Sequence, residues 1–195
     1  MTQLVKTLEQ LGLATTSATQ LSTFAKLFSK WNASINLSAA RTQPEIESHI
    51  VDSLHCVPHL SGARRAIDVG SGGGLPVVVA AICLPDTNFT ALEPVHKKHA
   101  FLRTAARELK LGNLVPLAIR VEDVPMHDFD AASSRATFDL RAWILTGLSL
   151  VRAAGRVIGF EAIPRDDIPP PFERFPYSHE GRQRSIVVAR KPAMD

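Results

Sequence analysis

The sequence predicts an α/β fold: a mostly parallel sheet covered on both faces, with an antiparallel last strand and an N-terminal helical extension. Three observations carry this. Apolar residues recur at helical spacing over residues 3–60. From Arg65 onward, short apolar runs alternate with helical stretches. Four glycines, Gly70, Gly72, Gly73 and Gly74, break the chain where the first of those runs ends.

In the extension, Leu4, Val5, Leu8 and Leu11 share one face and Gly12 stops the first helix. Ser17-Ala18-Thr19-Gln20 has the pattern of a capping box opening a second helix, with Leu21, Phe24, Leu27, Phe28 and Trp31 as its apolar face. Thr42-Gln43-Pro44-Glu45 caps a third, with Ile46, Ile50, Leu54 and Val57 turned inward. Strands are expected near 66–70, 88–93, 114–119, 129–134 and 156–161, and helices near 75–83, 95–111 and 138–151. Pro76 falls in the first turn of its helix, where the missing N–H is tolerated. Gly155 stands at a helix-exit position before the fifth strand, and the prolines between Pro164 and Pro176 argue against a regular helix there. Ser185 to Arg190 reads as the last strand, antiparallel to its neighbour. The expected organisation is an extension, residues 1–62, packed on a core domain, residues 63–195, as one structural unit.

Composition narrows the class. The chain has 195 residues, 45% hydrophobic and 21% charged, which marks an ordinary globular protein and excludes a disordered one. A net charge of +3 permits a nucleic-acid partner without requiring one. Cys56 and Cys83 lie far apart with no metal-type spacing, so neither zinc nor a disulfide is expected, and a reducing compartment is. His96 and His99 are three residues apart but lack a supporting carboxylate; they read as surface histidines, and no metal site is expected. Met1 to Lys6 lacks the apolar core of a signal peptide, and no apolar run is long enough to span a bilayer. The expected location is the cytoplasm.

The glycine cluster sits at a strand-to-helix turn, where residues without side chains let a cofactor lie against backbone N–H groups. The spacing Gly70-x-Gly72-x-Gly74 is shorter than the dinucleotide fingerprint. Asp68, two residues before the first glycine, would repel a pyrophosphate and suits a cofactor with a cationic amino-acid end, such as S-adenosylmethionine. Glu93, ending the second strand, is placed to bond the hydroxyls of a ribose, which a nicotinamide dinucleotide shares with adenosylmethionine. The plainer alternatives are a solvent-facing Glu93 and an Asp68 that caps the turn. An oxidoreductase would need a tyrosine–lysine or histidine pattern that is missing; Tyr177 is the only tyrosine.

Further segments carry a resemblance: Lys30-Trp31-Asn32 with Ile35-Asn36-Leu37, Arg41, His49-Ile50-Val51-Asp52-Ser53, and the glycine loop through Pro76. They continue in Lys97-Lys98 with Phe101-Leu102-Arg103, Val121-Glu122, Ser134-Arg135-Ala136, and Arg184-Ser185-Ile186-Val187-Val188. Together they resemble the RsmG (GidB) family across nearly the whole chain. The W-N-x-x-x-N-L and H-I-x-D-S segments are its most specific parts. The resemblance implies a Rossmann-like class I methyltransferase fold and transfer of a methyl group from S-adenosylmethionine to guanine N7 in 16S ribosomal RNA. It implies that Gly70 and Leu75 contact the cofactor through the turn, joining Asp68, Gly72, Gly74 and Glu93, and that Val121 and Glu122 flank the adenine. Arg135 matches an arginine of the cofactor site near the RNA and is the one candidate catalytic residue.

Guanine N7 carries a free lone pair, so alignment and exclusion of water suffice and no general base is expected. Arg41, Lys97, Lys98, Arg135 and Arg184 are the expected RNA contacts. The expected partner is 16S rRNA, within a small ribosomal subunit or its assembly intermediate, bound by a monomer with no membrane attachment. His49 and Asp52, at i and i+3, are spaced to bond each other, most simply as a structural pair. Three departures stand out. Val77 replaces a common family glycine, Glu93-Pro94 replaces an acid followed by serine, and Phe160-Glu161-Ala162 replaces Leu-Lys-Gly. Glu161 reverses the local charge, and the segment after it is shorter than in the family. They keep a second reading open: a cofactor-binding ribosome-assembly or RNA-binding module whose turnover is lost or altered.

Overall fold

A computed structural model describes residues 2–135 and 138–193; Met1 and Ala136 of the Ser-Arg-Ala segment fall outside the described residues. The extension forms α1 (Gln3–Gln10), α2 (Ser17–Ile35), α3 (Gln43–Leu54) and the single turn α4 (Val57–Leu60). The rest alternates as β1 (Arg65–Val69), α5 (Val77–Cys83), β2 (Asn88–Leu92), α6 (His96–Glu108), β3 (Leu114–Leu117), β4 (Phe129–Ser134) and α7 (Leu140–Leu150). It closes with β5 (Val151–Glu161), β6 (Phe172–His179) and β7 (Arg182–Arg190).

The strands make one seven-stranded sheet in the order β3-β2-β1-β4-β5-β7-β6. Neighbours from β3 through β5 are parallel. β7 runs antiparallel to both β5 and β6, so it alone opposes the others. The chain winds outward from β1 to β3 and then returns to the far side of β1 as β4. This reversal opens a crevice at the carboxyl ends of β1 and β4, where open α/β sheets bind ligands.

Alternation along the strands divides two cores. Ala66, Ala131, Ile158, Ile186 and Val188 face a layer shared by the extension, α5 and α6, where Leu8, Phe24, Phe28, Ile50, Leu54, Val78 and Phe101 are buried. Phe28 meets the Phe24 and Phe101 rings edge-on, at centroid distances of 5.9 and 5.8 Å. Ile67, Val69, Ala132, Val157 and Val187 face the other layer, under α7. Among the described residues, no helix is long and apolar enough to cross a membrane.

Thr42 and Glu45 form the full capping box at the start of α3. Ser17 does not form one. The turn before it is already helical, its N–H bonds to the Ala14 carbonyl at 3.1 Å, and Thr16 caps α2 without a side-chain bond. The fifth strand starts at Val151, directly after α7, with a register shift against β4 in which residues 152–155 span the step from Phe129↔Val151 to Ala131↔Arg156. Gly155 therefore lies inside β5 rather than before it. The proline-rich tail contains a strand that composition concealed. β6 is an edge strand pairing only with β7, and an edge tolerates Pro176, which has no N–H to offer a ladder. Pro76 caps α5 from just outside its first turn.

Candidate active site

A cleft of about 630 Å³ opens at the carboxyl end of the sheet. Its floor is the glycine turn. The Ser71 N–H bonds to the Leu92 carbonyl at 2.9 Å, and the Gly74 N–H bonds to the Ser71 carbonyl at 2.7 Å. Gly70, Gly72 and Gly74 all have positive φ, a region that other residues enter at a cost. Three of the glycines face three different neighbours. A Cβ on Gly72 would meet only the Gly70 carbonyl, at 3.8 Å. On Gly73 it would lie 2.5 Å from Phe28 of the extension, and on Gly74 it would lie 2.4 Å from Val78 of α5. Gly72 thus keeps backbone open to the cleft, while Gly73 and Gly74 let helices approach. Gly70, Gly72 and Leu75 line the cleft; Gly74 serves packing instead.

Glu93 does not point an unengaged carboxylate at a ribose. It is buried, and its two oxygens accept the N–H groups of Gly72 and Val95, both at 2.8 Å. The acid at the end of β2 braces the loop. Asp68 is buried at the end of β1, where Ser133 donates its hydroxyl to Oδ1 at 2.7 Å. Among the described residues Oδ2 has no hydrogen-bond partner. Burial pushes the Asp68 carboxyl up to about 6 against the pull of the Ser133 hydroxyl. Val121 and Glu122 occupy a 3₁₀ turn over residues 121–123, with Val121 against the α7-side core and Glu122 exposed; neither lines the cleft.

The opposite wall is basic. Arg135, just past β4, donates to Asp52 Oδ2 at 3.2 Å and stands over the Phe160 ring at 6.0 Å from its centroid. Arg184 of β7 donates to both Asp52 oxygens at 3.3 Å, and the Tyr177 hydroxyl of β6 donates to Oδ1 at 2.9 Å. Asp52 therefore bonds these three groups; His49 contributes its carbonyl to Arg135 and to Ser53. Burial, and then the Arg135 charge, hold the His49 imidazole below its ordinary pKa. Lys98 lines the cleft from α6. Lys97 and Arg41 are exposed outside it, and the Arg41 guanidinium bonds to the Ser38 carbonyl at 3.1 Å. Sequence reasoning missed Tyr177 as a site residue because β6 was not recognised. It also missed the role of Asp52, whose partners are remote in sequence.

The profile of the family described as rRNA small subunit methyltransferase G matches residues 17–168. The chain belongs to that family. The "Ribosomal RNA small subunit methyltransferase G" of Aromatoleum aromaticum is 40% identical over 170 residues, covering 83% of this chain and 81% of that one. Its Burkholderia mallei counterpart is 42% identical over 171 residues, covering 82% and 74%. Solved structures agree on the fold. M. jannaschii TYW2 in complex with AdoMet superposes with a TM-score of 0.63 at 14% identity, covering 83% of this chain and 80% of that one. A putative O-methyltransferase from Klebsiella pneumoniae reaches 0.60 at 14% identity, with coverage of 87% and 90%. The fold is the Rossmann-like class I methyltransferase fold.

Two of the departures from the rRNA small subunit methyltransferase G pattern have structural explanations. Val77 is buried in the extension-side core. Glu161 is buried and doubly bonded to Arg174, at 2.7 Å to Nε and 3.0 Å to Nη2, and also accepts the Arg165 N–H at 3.0 Å. Its charge is matched by an arginine from the strand hidden in the tail. It ties the end of β5 to the 165–174 segment, and no uncompensated acid faces the cleft at this position.

The site residues fit S-adenosylmethionine on two observations. Gly72 leaves open space where any side chain would stand, and the buried Asp68 oxygen is an acceptor that a cationic amine would satisfy. Among the described residues no cluster suits a metal ion.

Proposed function

We propose that this chain transfers the methyl group of S-adenosylmethionine to N7 of a guanine in 16S ribosomal RNA, working as a cytoplasmic monomer on the small subunit or an assembly intermediate. One observation carries the reading. The glycine turn, with Gly72 open, and the basic wall of Arg135 and Arg184 belong to the same cleft. This arrangement supports a reading in which cofactor and polyanion would meet in one place.

Gly70, Gly72 and Leu75 would hold the cofactor along the turn, with Asp68 beneath its amino-acid end. Glu93 keeps the turn in shape by binding the Gly72 N–H. Val121 and Glu122, on the 3₁₀ turn after β3, would flank an adenine that extends beyond the cleft. When bound, the cofactor supplies a methyl group already activated by its sulfonium. The chain's own task is then to orient the guanine and exclude water. Phe28, Leu37 and Phe160 give the cleft apolar walls for that purpose. Arg135, Arg184 and Lys98 would engage RNA inside the cleft, with Arg41 and Lys97 outside it. No residue needs to remove a proton, because N7 is already a lone-pair nucleophile.

Tritiated methyl transfer to small subunits and to naked 16S rRNA from an unmethylated strain tests the proposal, beside calorimetry with adenosylhomocysteine. Label in a guanine that requires this protein is expected. Tight adenosylhomocysteine binding without label in RNA would favour an assembly module instead.

A further inference from the structure

The His49–Ser53 segment supplies the carboxylate that organises the wall opposite the glycine turn. Asp52 lies on α3 and is 3% exposed. Its charged partners come from elsewhere in the fold: Arg135 after β4 and Arg184 on β7. Both arginine side chains line the cleft and keep some solvent contact, 17% for Arg135 and 29% for Arg184. Two guanidinium groups on one carboxylate leave this wall with a net positive charge. Without an anion between them they would repel; with one they stay adjacent.

The geometry points to Asp52 as a positioning residue that holds Arg135 and Arg184 side by side as a subsite for a substrate oxyanion. Guanidinium groups bind phosphate and carboxylate oxygens through paired N–H donors, so their relative placement decides whether one anion can reach both. The oxyanion is either a backbone phosphate of the RNA or the carboxylate at the amino-acid end of the cofactor. This identification of the ligands rests on the methyltransferase reading; the subsite itself rests on the contacts.

Asp52→Asn keeps the size of the side chain and an acceptor for Tyr177 but removes the charge. The full chain is measured by RNA filter binding over a range of salt, by adenosylhomocysteine calorimetry and by methyl-transfer kinetics. Expected is a roughly ten-fold loss of affinity for one ligand, with kcat at saturation within about two-fold. Loss confined to RNA, with a salt slope reduced by about one contact, identifies the phosphate. Loss confined to adenosylhomocysteine identifies the carboxylate. Arg184→Lys keeps the charge but loses the fork, and is expected to repeat the same defect even if Asp52→Asn fails to fold. Asn113→Ala controls for stability, since that amide holds the carbonyls of Ala81, Leu84 and Thr87 at 3.1 Å at the other end of the sheet. It is expected to bind both ligands as the parent does. The inference is overturned if a folded Asp52→Asn or Arg184→Lys binds both ligands normally, or if Asn113→Ala reproduces the defect. A parent protein that binds RNA without transferring methyl would sink the function reading alone, because the subsite is read by binding.

Discussion

Glu93 accepts the N–H of Gly72 at 2.8 Å, so the acid that ends β2 holds the most open point of the glycine turn before any ligand arrives. Its second oxygen holds Val95 N–H at the start of α6, also at 2.8 Å. One buried side chain therefore fixes the spacing between loop and helix. Glu93→Gln retains one acceptor and turns an N–H donor toward the other amide. It is expected to lower the melting temperature of the ligand-free protein and to weaken adenosylhomocysteine binding about ten-fold. Scanning calorimetry without ligand separates this from direct ribose binding. An acid that only met the ribose would leave the ligand-free melting temperature unchanged.

The glycines are expected to separate in the same way. A Cβ at Gly72 has only the Gly70 carbonyl within 4 Å, so Gly72→Val is expected to stay folded, strained at its positive φ, and to lose adenosylhomocysteine binding. Gly73→Ala and Gly74→Ala drive a methyl group into Phe28 and Val78. Each is expected to cost about 1–3 kcal/mol of stability, with Gly74→Ala the worse because its φ is also +81°. Urea denaturation paired with calorimetry gives both numbers. Equal stability losses at all three positions would contradict this division of labour.

Legibility in the sequence followed locality. The capping box at Thr42 and Glu45 was readable because donor and acceptor lie within one turn of chain. Ser17 misled because the preceding turn, not the four-residue pattern, decides where a helix begins. The parallel strands announced themselves as apolar runs. β6 did not, since the adjacent Glu173 and Arg174 break any apolar-polar alternation and Pro176 sits at an edge that tolerates it. That single omission had consequences for the site. With β6 unplaced, Arg174 had no position from which to pair Glu161, and Tyr177 had none from which to reach Asp52. Without β6, the sequence pairs Asp52 with His49, its neighbour on the helix, and leaves Glu161 as an unpaired acid. The role of Gly73 was equally hidden, because it depends on Phe28 arriving from the extension.

Glu161 and Arg174 offer a test of that correction. Glu161→Lys, which restores the family's residue type, would place a second cation against Arg174 in a buried position. It is expected to lower the melting temperature by several degrees, because an unpaired buried charge is costly. Adding Arg174→Glu is expected to recover part of the loss by reversing the pair. Thermal unfolding of both variants and the double variant gives the coupling directly. If Glu161→Lys instead raised methyl transfer with no loss of stability, the buried pair would not be the reason for the acid.

Asp68 makes a prediction about pH whose direction follows from its surroundings. Burial raises its carboxyl to about 6 from its ordinary 3.8. Between those values the folded protein holds a proton that the unfolded chain has released. Stability from this group is therefore greatest at low pH, falls as pH rises through that window, and is level above it. By neutral pH the difference is on the order of 3 kcal/mol. Asp130 is shifted the other way, lowered on balance by Arg152 and the Arg64 and Arg65 N–H groups despite partial desolvation, and it gives a slope of opposite sign at acid pH. Raw stability curves mix the two, but the difference between the parent and Asp68→Asn isolates Asp68. The expected result is that Asp68→Asn gains on the parent steadily from pH 4 to pH 6.5 and then keeps a constant advantage. Denaturant titrations at half-unit intervals measure it. Parallel curves for the two proteins would mean that the carboxyl is not held in the buried, half-satisfied state seen beside Ser133.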